Sequence, residues 1–358
     1  MKLGGADKKA IKNIARFIDR SAFDFSVYSI KDDFETPECF ANAVQRDKID
    51  VVHAAVNEET FDSFVGAAFE AGLKGAILYC SMNRPMRLER RDFVDRHAVS
   101  KFCLMRYKRM NRVPDDGRYR VWYLPVDLDW IDSLRPSHEE VGRMRKRLGI
   151  ESSDKVIGRV ARKDPNKWHD IVVEMMSRLL RREPNVKFLS VGTPEAAKER
   201  IRKLRLAEHF VFVEPQESDD EIIKLIYLMD VFAYGTHGES FGMSIAEAMA
   251  CGKPVVVNST PLSRFSFAHL LSPLLNIFFM PDNAQTELVD DGRTGRVVHG
   301  PRAFADAVTS LLQNPSRAAE MGRAGREKAQ REFEAQEQVR KLETRIVQLT
   351  TAERWRPG

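Results

Sequence analysis

The fold is decided by the stretch Gly238-Glu239-Ser240-Phe241-Gly242-Met243-Ser244-Ile245-Ala246-Glu247-Ala248-Met249-Ala250-Cys251-Gly252-Lys253-Pro254-Val255-Val256-Val257. Its apolar residues recur at helical spacing after Gly242, so a helix is predicted to begin there. Gly252 fits the position just past the helix end, and Pro254 prevents the helix from continuing. Because short apolar strands are predicted at 231–234 and 255–257, the stretch is typical of a βαβ unit with glycine at the helix N-terminus.

Outward from this unit, short strands alternate with helices in two series, separated by a polar segment at 132–140. Such alternation predicts two doubly wound α/β domains, 1–135 and 136–358. Whether the C-terminal helix crosses back to the N-terminal domain is left open. Ligands of such sheets bind at the carboxyl ends of the strands, and the cleft between two such domains is the default site. The strands are predicted at 25–30, 51–56, 76–79, 120–124, 155–160, 186–191, 210–213, 231–234 and 255–257.

Composition narrows the class of protein. With 43% hydrophobic and 30% charged residues among 358, the chain is not a disordered tail protein. It has no uninterrupted apolar run of about 18 residues, and no apolar leader follows Met1, so a cytoplasmic location is expected. Its four cysteines form no CxxC, which fits a reducing compartment and disfavours a zinc ribbon.

The net charge of +5 selects no partner by itself, but ten Lys or Arg face three Asp or Glu within 84–112. This run is either a solvated surface or a face for an anionic partner such as phospholipid or a phosphorylated acceptor. Nucleic acid is disfavoured because no nucleic-acid-binding signature accompanies the charge.

The start of the predicted helix after Gly242 is an anion site, since its first N–H groups are free and lie at the positive end of the helix dipole. The flanking carboxylates of Glu239 and Glu247 are better acceptors for sugar hydroxyls than ligands for phosphate. The pattern therefore predicts a ligand in which a phosphate lies between two groups that carry several hydroxyls, as in a nucleotide sugar. The alternative is that Glu239 is a surface loop residue and Glu247 a favourable first-turn acid.

The Glu239-x7-Glu247 spacing, in this setting, resembles the donor motif of glycosyltransferase family 4, whose members are retaining enzymes with the GT-B fold. The resemblance spans nearly the whole chain and implies a GT-B protein: two Rossmann-like doubly wound domains facing a central cleft, the first for the acceptor and the second for the donor. Further family-like segments are Gly4-Gly5-Ala6-Asp7-Lys8, Asp50-Val51-Val52-His53-Ala54, Pro125-Val126-Asp127, Gly158-Arg159-Val160-Ala161-Arg162-Lys163, Lys167-Trp168 and Asp282-Asn283-Ala284-Gln285-Thr286-Glu287-Leu288-Val289.

The resemblance also implies the roles of individual residues. Arg159 and Lys167 would hold the donor diphosphate, with Arg162 and Lys163 as competitors, and Glu239 would hold the transferred sugar. The catalytic set is therefore Glu239, Arg159 and Lys167. The other donor-binding candidates are Gly4, Gly5, His237, Phe241, Gly242, Met243, Glu247 (for the ribose) and Glu287. For His237, a polar group of the loop is the favoured interpretation.

The implied reaction is front-face substitution with retention, in which the acceptor hydroxyl gives its proton to the departing diphosphate. The partners would be a nucleotide-sugar donor and a glycan or lipid-linked saccharide acceptor, with no cofactor and no metal. Asp127-Leu128-Asp129 spells the metal motif of another glycosyltransferase fold, but a capping or hinge carboxylate is the favoured interpretation.

Three departures keep alternatives open. The first strand of the N-terminal sheet is missing before Gly4, and Tyr79 stands where several family members have histidine. The apolar segment 261–281 is either an insertion packed on the C-terminal domain or a peripheral contact with a partner or the inner face of the membrane. The alternatives to a transferase are a non-catalytic sugar-nucleotide-binding or scaffold protein and a sugar-nucleotide epimerase.

Overall fold

The computed structural model describes residues 5–55, 58–80, 94–111, 117–215, 218–259 and 283–351. Packing divides the chain into two compact units, one of Met1–Pro125 with Glu334–Gly358 and one of Val126–Phe333. The division lies at 125/126 rather than at the predicted 135/136. Residues just after it pack with the second unit, where the Tyr227 hydroxyl donates to the Ile131 carbonyl at 3.2 Å.

The first unit contains a parallel sheet whose four strands follow one another in chain order. The predicted strand at 25–30 is wrong, because this segment is irregular and exposes Val27 and Tyr28 to solvent instead of burying a face. The elements are α1 (Gly5–Phe17), α2 (Ile30–Asp33), α3 (Pro37–Arg46), β1 (Val51–Ala54), α4 (Glu58–Glu70), β2 (Gly75–Cys80), β3 (Val94–Ala98), α5 (Lys101–Asn111) and β4 (Tyr119–Val121).

Four aromatic side chains come together where the strands of this sheet end. The His53 ring lies 5.4 Å from Trp122 and 6.0 Å from Tyr79, centre to centre, and 6.2 Å from His97. The buried Nε2 of His53 has no hydrogen-bond partner. Burial, with the neighbouring His97 second, lowers the pKa of His53 to about 3, so the ring is neutral at pH 7.

The second unit contains a parallel sheet of six strands in the order β10-β9-β8-β5-β6-β7, with the reversal of strand order between β5 and β8. Its elements are α6 (Leu128–Ser133), α7 (His138–Arg147), β5 (Lys155–Val160), a 3₁₀ turn (Pro165–Lys167), α8 (Ile171–Leu179), β6 (Val186–Val191), α9 (Glu195–Lys203), a 3₁₀ turn (Ala207–His209), β7 (Phe210–Val213), α10 (Asp219–Tyr227), β8 (Val231–Tyr234), α11 (Met243–Ala250), β9 (Val255–Asn258), α12 (Ala284–Leu288), β10 (Gly295–Val298), α13 (Gly300–Gln313) and α14 (Pro315–Phe333).

The deciding βαβ unit folds as its sequence predicts. The N–H of Lys253 donates to Ala248 O at 3.0 Å and the N–H of Gly252 to Met249 O at 2.9 Å, which closes α11 with a Schellman motif. Gly252 has φ +71°, a left-handed conformation that other residues rarely adopt. The helix therefore stops at once, and β9 begins within the same short connection.

The last helix, α15 (Ala335–Thr351), is grouped with the first unit. The Arg345 guanidinium forms a two-pronged pair with Asp95 of β3, whose Oδ1 lies 2.7 Å from Nη2. Asp95 is almost completely buried, and the Trp122 indole N–H donates to the Gln338 carbonyl at 2.8 Å. These polar bonds fix α15 on the sheet.

Replacing Arg345 with alanine is expected to destabilise the first unit by about 3 kcal/mol, because the buried Asp95 carboxylate loses its two-pronged partner. Urea denaturation followed by circular dichroism measures the change. Arg340→Ala is the matched control on the same helix, since its pair with Glu337 is exposed and contributes less than about 1 kcal/mol. Equal stability of the two variants would contradict the anchoring role of Arg345.

The free energy of unfolding is expected to fall by about 2 kcal/mol between pH 7 and pH 5 through His53. The unfolded chain takes up a proton below the ordinary histidine pKa of 6.5, whereas the folded ring resists protonation down to about pH 3. Stability therefore rises with pH across this window. Urea titrations at pH 5, 6 and 7 test it: His53→Phe should flatten the dependence, and the exposed His138→Phe should leave it unchanged.

Candidate functional site

The site candidates of the second unit lie where its strand order reverses. Arg159 is near the end of β5, and Glu239 is in the loop that follows β8, its neighbour in the sheet. The strands on either side of such a reversal send their connections to opposite faces, which leaves a crevice at their carboxyl ends. Sequence separation of 80 residues thus becomes spatial proximity.

The carboxylate of Glu239 is held on both oxygens. Lys167 Nζ donates to Oε2 at 2.8 Å, and the Tyr234 hydroxyl donates to Oε1 at 2.7 Å. The backbone N–H of Glu239 donates to Asn283 Oδ1 at 2.7 Å. Glu239 is only 8% exposed, so its orientation is fixed by these partners rather than by water.

Lys167 ends the 3₁₀ turn that follows β5, and its ammonium also donates to the Gly238 carbonyl at 3.1 Å. Asp164 begins this turn by accepting the N–H of Asn166 at 2.9 Å. An ammonium has three N–H donors, so one of them is left for a further acceptor. Lys167 therefore combines a fixed position with remaining capacity to bind an anion.

Arg159 lies in the interior, with no exposed surface. Its guanidinium carbon lies 5.0 Å from the Trp168 ring centre and 5.4 Å from that of Tyr234, and Nη2 donates to the Lys167 carbonyl. Nε and Nη1 have no hydrogen-bond partner. Burial lowers the pKa of Arg159, but an arginine stays charged in proteins. A fixed positive charge thus lies behind Lys167 and Tyr234.

The loop between β8 and Glu239 is clamped by amide side chains. Asn258, at the end of β9, accepts the N–H of Thr236 at 2.9 Å and donates to its carbonyl at 3.0 Å. Gln285 of α12 donates to Asn258 Oδ1 at 3.1 Å and also to its carbonyl. These bonds, together with Asn283 on the Glu239 backbone, set the loop path without any repeating structure.

Gly242 caps the start of α11 with φ +100° and no side chain to occupy the first N–H groups. This left-handed backbone favours glycine, and a Cβ at this position would lie 3.0 Å from Ile245 Cδ1, so the Ile245 side chain would have to shift. The predicted glycine at the helix N-terminus is confirmed. Met243 is the first helical residue, and Glu247 is buried within the same helix.

The other predicted site residues are placed differently. Lys163 pairs with Glu195 at 2.8 Å and Glu214 at 3.1 Å, and exposed Arg162 lies 3.9 Å from Asp164. The structure therefore brings neither of these two cations to the Glu239 carboxylate. Among the other candidates, His237 is exposed, with its ring centre 4.5 Å from that of His169, and Phe241 is buried against Phe333. Glu287 is half-buried in α12. Gly5 is the first residue of α1, and Gly4 lies outside the described residues.

Asp127 is a helix cap, as its favoured interpretation predicts. It precedes α6, and its carboxylate accepts the N–H of Trp130 at 2.9 Å. Across the described ranges, no group of three or more His, Cys, Asp or Glu side chains is arranged to hold a metal ion. None of the helices in those ranges is long and apolar enough to cross a membrane. The apolar segment 261–281 lies outside them, as do residues 84–93 and 112 of the basic run.

Sequence reasoning missed the residues that support Glu239. The sequence pattern places Tyr234 only at the end of an apolar strand and Trp168 only in the family-like segment with Lys167, and it gives no role to Asn258. One signal was available: a tyrosine that ends a buried strand needs a partner for its hydroxyl. The amide side chains gave no comparable signal, because their partners are backbone groups of a distant loop.

Residues 141–270 match the family described as Glycosyl transferases group 1, and this range contains Arg159, Lys167 and the Glu239–Glu247 stretch. The matched segment is therefore similar to group 1 glycosyl transferases. A D-inositol 3-phosphate glycosyltransferase of Segniliparus rotundus is 30% identical over 209 residues, which are 56% of this chain and 41% of the relative. A GDP-mannose-dependent alpha-(1-6)-phosphatidylinositol monomannoside mannosyltransferase of Mycolicibacterium smegmatis is 31% identical over 216 residues, or 57% and 50%. The chain thus spans half or less of the length of these curated relatives.

Solved structures extend the similarity beyond the matched segment. A glycosyltransferase from Rickettsia africae has a TM-score of 0.74 at 16% identity, covering 92% of this chain and 85% of that one. The Anabaena protein HepE, in complex with UDP and glucose, has a TM-score of 0.72 at 18% identity and 96% coverage of both chains. At such identities the likeness concerns the fold, and it confirms the predicted GT-B class with its two parallel sheets.

Proposed function

We propose that this chain is a retaining glycosyltransferase that moves a sugar from a nucleoside diphosphate sugar to a glycan or lipid-linked saccharide. The observation that carries the proposal is the Glu239 carboxylate, held between Lys167 and Tyr234 beside the start of α11. A nucleotide sugar carries an anionic diphosphate next to a polyol. Cations and a helix N-terminus bind the diphosphate, and an oriented carboxylate binds the hydroxyls of the polyol.

On the leaving-group side, Lys167 and the N–H groups at the start of α11 bind the diphosphate. Arg159 adds a positive charge from a buried position, where a low dielectric strengthens its effect. The diphosphate gains negative charge as its bond to the sugar breaks. Interactions that strengthen with that charge lower the barrier more than they stabilise the bound donor.

On the sugar side, Glu239 accepts hydrogen bonds from hydroxyls of the transferred ring, and Glu247 holds the ribose. A carboxylate has about four acceptor positions, and Lys167 and Tyr234 occupy two of those on Glu239. The remaining positions are available to the donor. In the same proposal, the backbone N–H groups of Phe241 to Met243 and the Glu287 side chain also contact the donor.

The reaction is front-face substitution without a protein nucleophile. The bond between the anomeric carbon and the diphosphate oxygen breaks while the acceptor oxygen bonds to that carbon on the same face. The acceptor's proton passes to the departing phosphate oxygen, which balances the charge. The reaction requires no metal and no cofactor in this proposal, and the first unit binds the acceptor.

The relatives give the substrate classes to test first. One bears GDP-mannose and a phosphatidylinositol mannoside in its name, and HepE was solved with UDP and glucose. A lipid-linked acceptor fits a peripheral contact with the inner face of the membrane, which we include with a cytoplasmic location in the proposal. Thermal shift with UDP-glucose, GDP-mannose and ADP-glucose identifies the donor, because selective binding raises the apparent stability.

Glu239→Gln is expected to lower the rate of donor turnover about 100-fold, since it keeps the shape of the side chain and removes its charge. Release of free sugar or transfer to a saccharide acceptor, measured by NMR with the donor found above, gives the rate and the anomeric configuration. Glu214→Gln is the matched control, because this exposed glutamate of the same unit pairs with Lys163 and Lys198.

Full turnover by Glu239→Gln would reject the site, and an inverted product would reject retention. Donor binding with neither transfer nor hydrolysis would favour the non-catalytic sugar-nucleotide-binding protein. Recovery of epimerised donor would favour the epimerase. Each outcome is read from the same NMR time course.

Turnover is expected to stay unchanged in excess EDTA, because cations of the chain stabilise the leaving group. Asp129→Ala should likewise keep the wild-type rate, since Asp129 is an exposed residue in the first turn of α6. A rate that collapses in EDTA and returns with added Mg²⁺ or Mn²⁺ would contradict the metal-independent mechanism.

A further inference from the structure

Tyr234 is the last residue of β8 and is 2% exposed, directly beneath the loop that carries Glu239. Its hydroxyl oxygen lies 2.7 Å from Glu239 Oε1. Burial, and then the charge of Glu239, hold the pKa of the Tyr234 phenol well above its ordinary value. The phenol thus keeps its proton and serves as the donor, while the carboxylate accepts.

The Tyr234 ring packs against two neighbours that restrict its movement. Phe232, two residues earlier on the same strand, lies nearly parallel to it at 5.8 Å and 8°. The Arg159 guanidinium carbon lies 5.4 Å from the ring centre. A ring fixed by a strand neighbour and by a buried cation makes the hydroxyl a rigid reference point for the carboxylate.

The two donors to Glu239 approach from different elements and different oxygens. Tyr234 reaches Oε1 from β8, whereas Lys167 reaches Oε2 from the turn after β5. Together they fix the rotation of the carboxylate plane, which a single donor would leave free. That rotation decides in which directions the remaining lone pairs of Glu239 point.

We propose that Tyr234 is a positioning residue that orients Glu239 toward the hydroxyls of the transferred sugar, and so contributes to selecting the sugar rather than the nucleotide. The inference rests on the proposed function, because it assigns the sugar to Glu239. Without the Tyr234 hydroxyl, Lys167 alone holds the carboxylate, and the plane turns toward the ammonium. The sugar then loses oriented acceptors, whereas the nucleoside diphosphate keeps its own contacts.

Tyr234→Phe tests the inference by calorimetric titration with two pairs of probes, UDP-glucose with UDP and GDP-mannose with GDP. For the nucleotide sugar that the wild type binds, the variant should bind about tenfold more weakly, the loss expected for one hydrogen bond to a charged group. Its affinity for the matching diphosphate should change less than about twofold on the same reasoning. In turnover, KM for the donor should rise and kcat should fall.

Two controls separate positioning from a structural role. Tyr227→Phe removes another buried hydroxyl of the same unit, one bonded to Ile131 O outside the site, and should leave both affinities unchanged. In a Glu239→Gln background, adding Tyr234→Phe should cause no further loss, because the carboxylate that it orients is gone. If Tyr234→Phe does not fold, a fluorinated tyrosine at 234 keeps the shape and acidifies the phenol. A more acidic phenol donates a stronger hydrogen bond, so sugar-nucleotide affinity should change at constant pH, whereas diphosphate affinity should not.

Equal losses for nucleotide sugar and diphosphate, or no loss for either, would overturn the role of Tyr234. These results differ from failure of the proposed function, in which the wild type itself binds none of the four probes. A loss confined to the nucleotide sugar and absent in the Glu239→Gln background supports the inference.

Discussion

The reversal of strand order between β5 and β8 is the constraint on which the site depends. It sets the ends of two strands side by side with their following segments leaving in different directions, and it brings Lys167 within 2.8 Å of Glu239. The sheet beneath is buried and apolar, with strands such as Val231–Tyr234 fully enclosed. Polar groups that reach this edge have few water partners, so they bond to one another.

This constraint also explains why so many of the site's bonds run between side chains and the backbone of an irregular loop. A loop at a buried edge must satisfy its N–H and C=O groups without a neighbouring strand. Asn258 and Asn283 do this for Thr236 and Glu239. The same hydrogen bonds also fix the path of the loop. They therefore satisfy its backbone groups and orient the Glu239 carboxylate at the same time.

Much of the second unit could be predicted from sequence, since its local signals agree with one another. The strands 155–160, 186–191, 210–213 and 231–234 have the predicted limits because short apolar runs mark them, and Gly252 with Pro254 marks the end of α11. The first unit gave weaker signals. Strand β3, Val94–Ala98, was not predicted because Asp95, Arg96 and His97 are polar and are buried only through partners such as Arg345.

The site was predictable as a set of residue types but not as a set of contacts. The resemblance named Arg159, Lys167 and Glu239 together, while composition could not separate Lys167 from Lys163, four residues away. Their difference is tertiary: acids at 195 and 214 lie beside Lys163, whereas Lys167 is turned toward Gly238 and Glu239. No local pattern encodes which acid a lysine meets.

The position of α15 has a consequence for how the chain folds during synthesis. All of the second unit, Val126–Phe333, is synthesised before the helix that completes the first unit. Until then the carboxylate of Asp95 lacks Arg345, and the indole of Trp122 lacks the Gln338 carbonyl. The first unit therefore begins to be synthesised first but completes its folding last. Until α15 packs on it, its sheet is the exposed surface that a nascent-chain chaperone would bind.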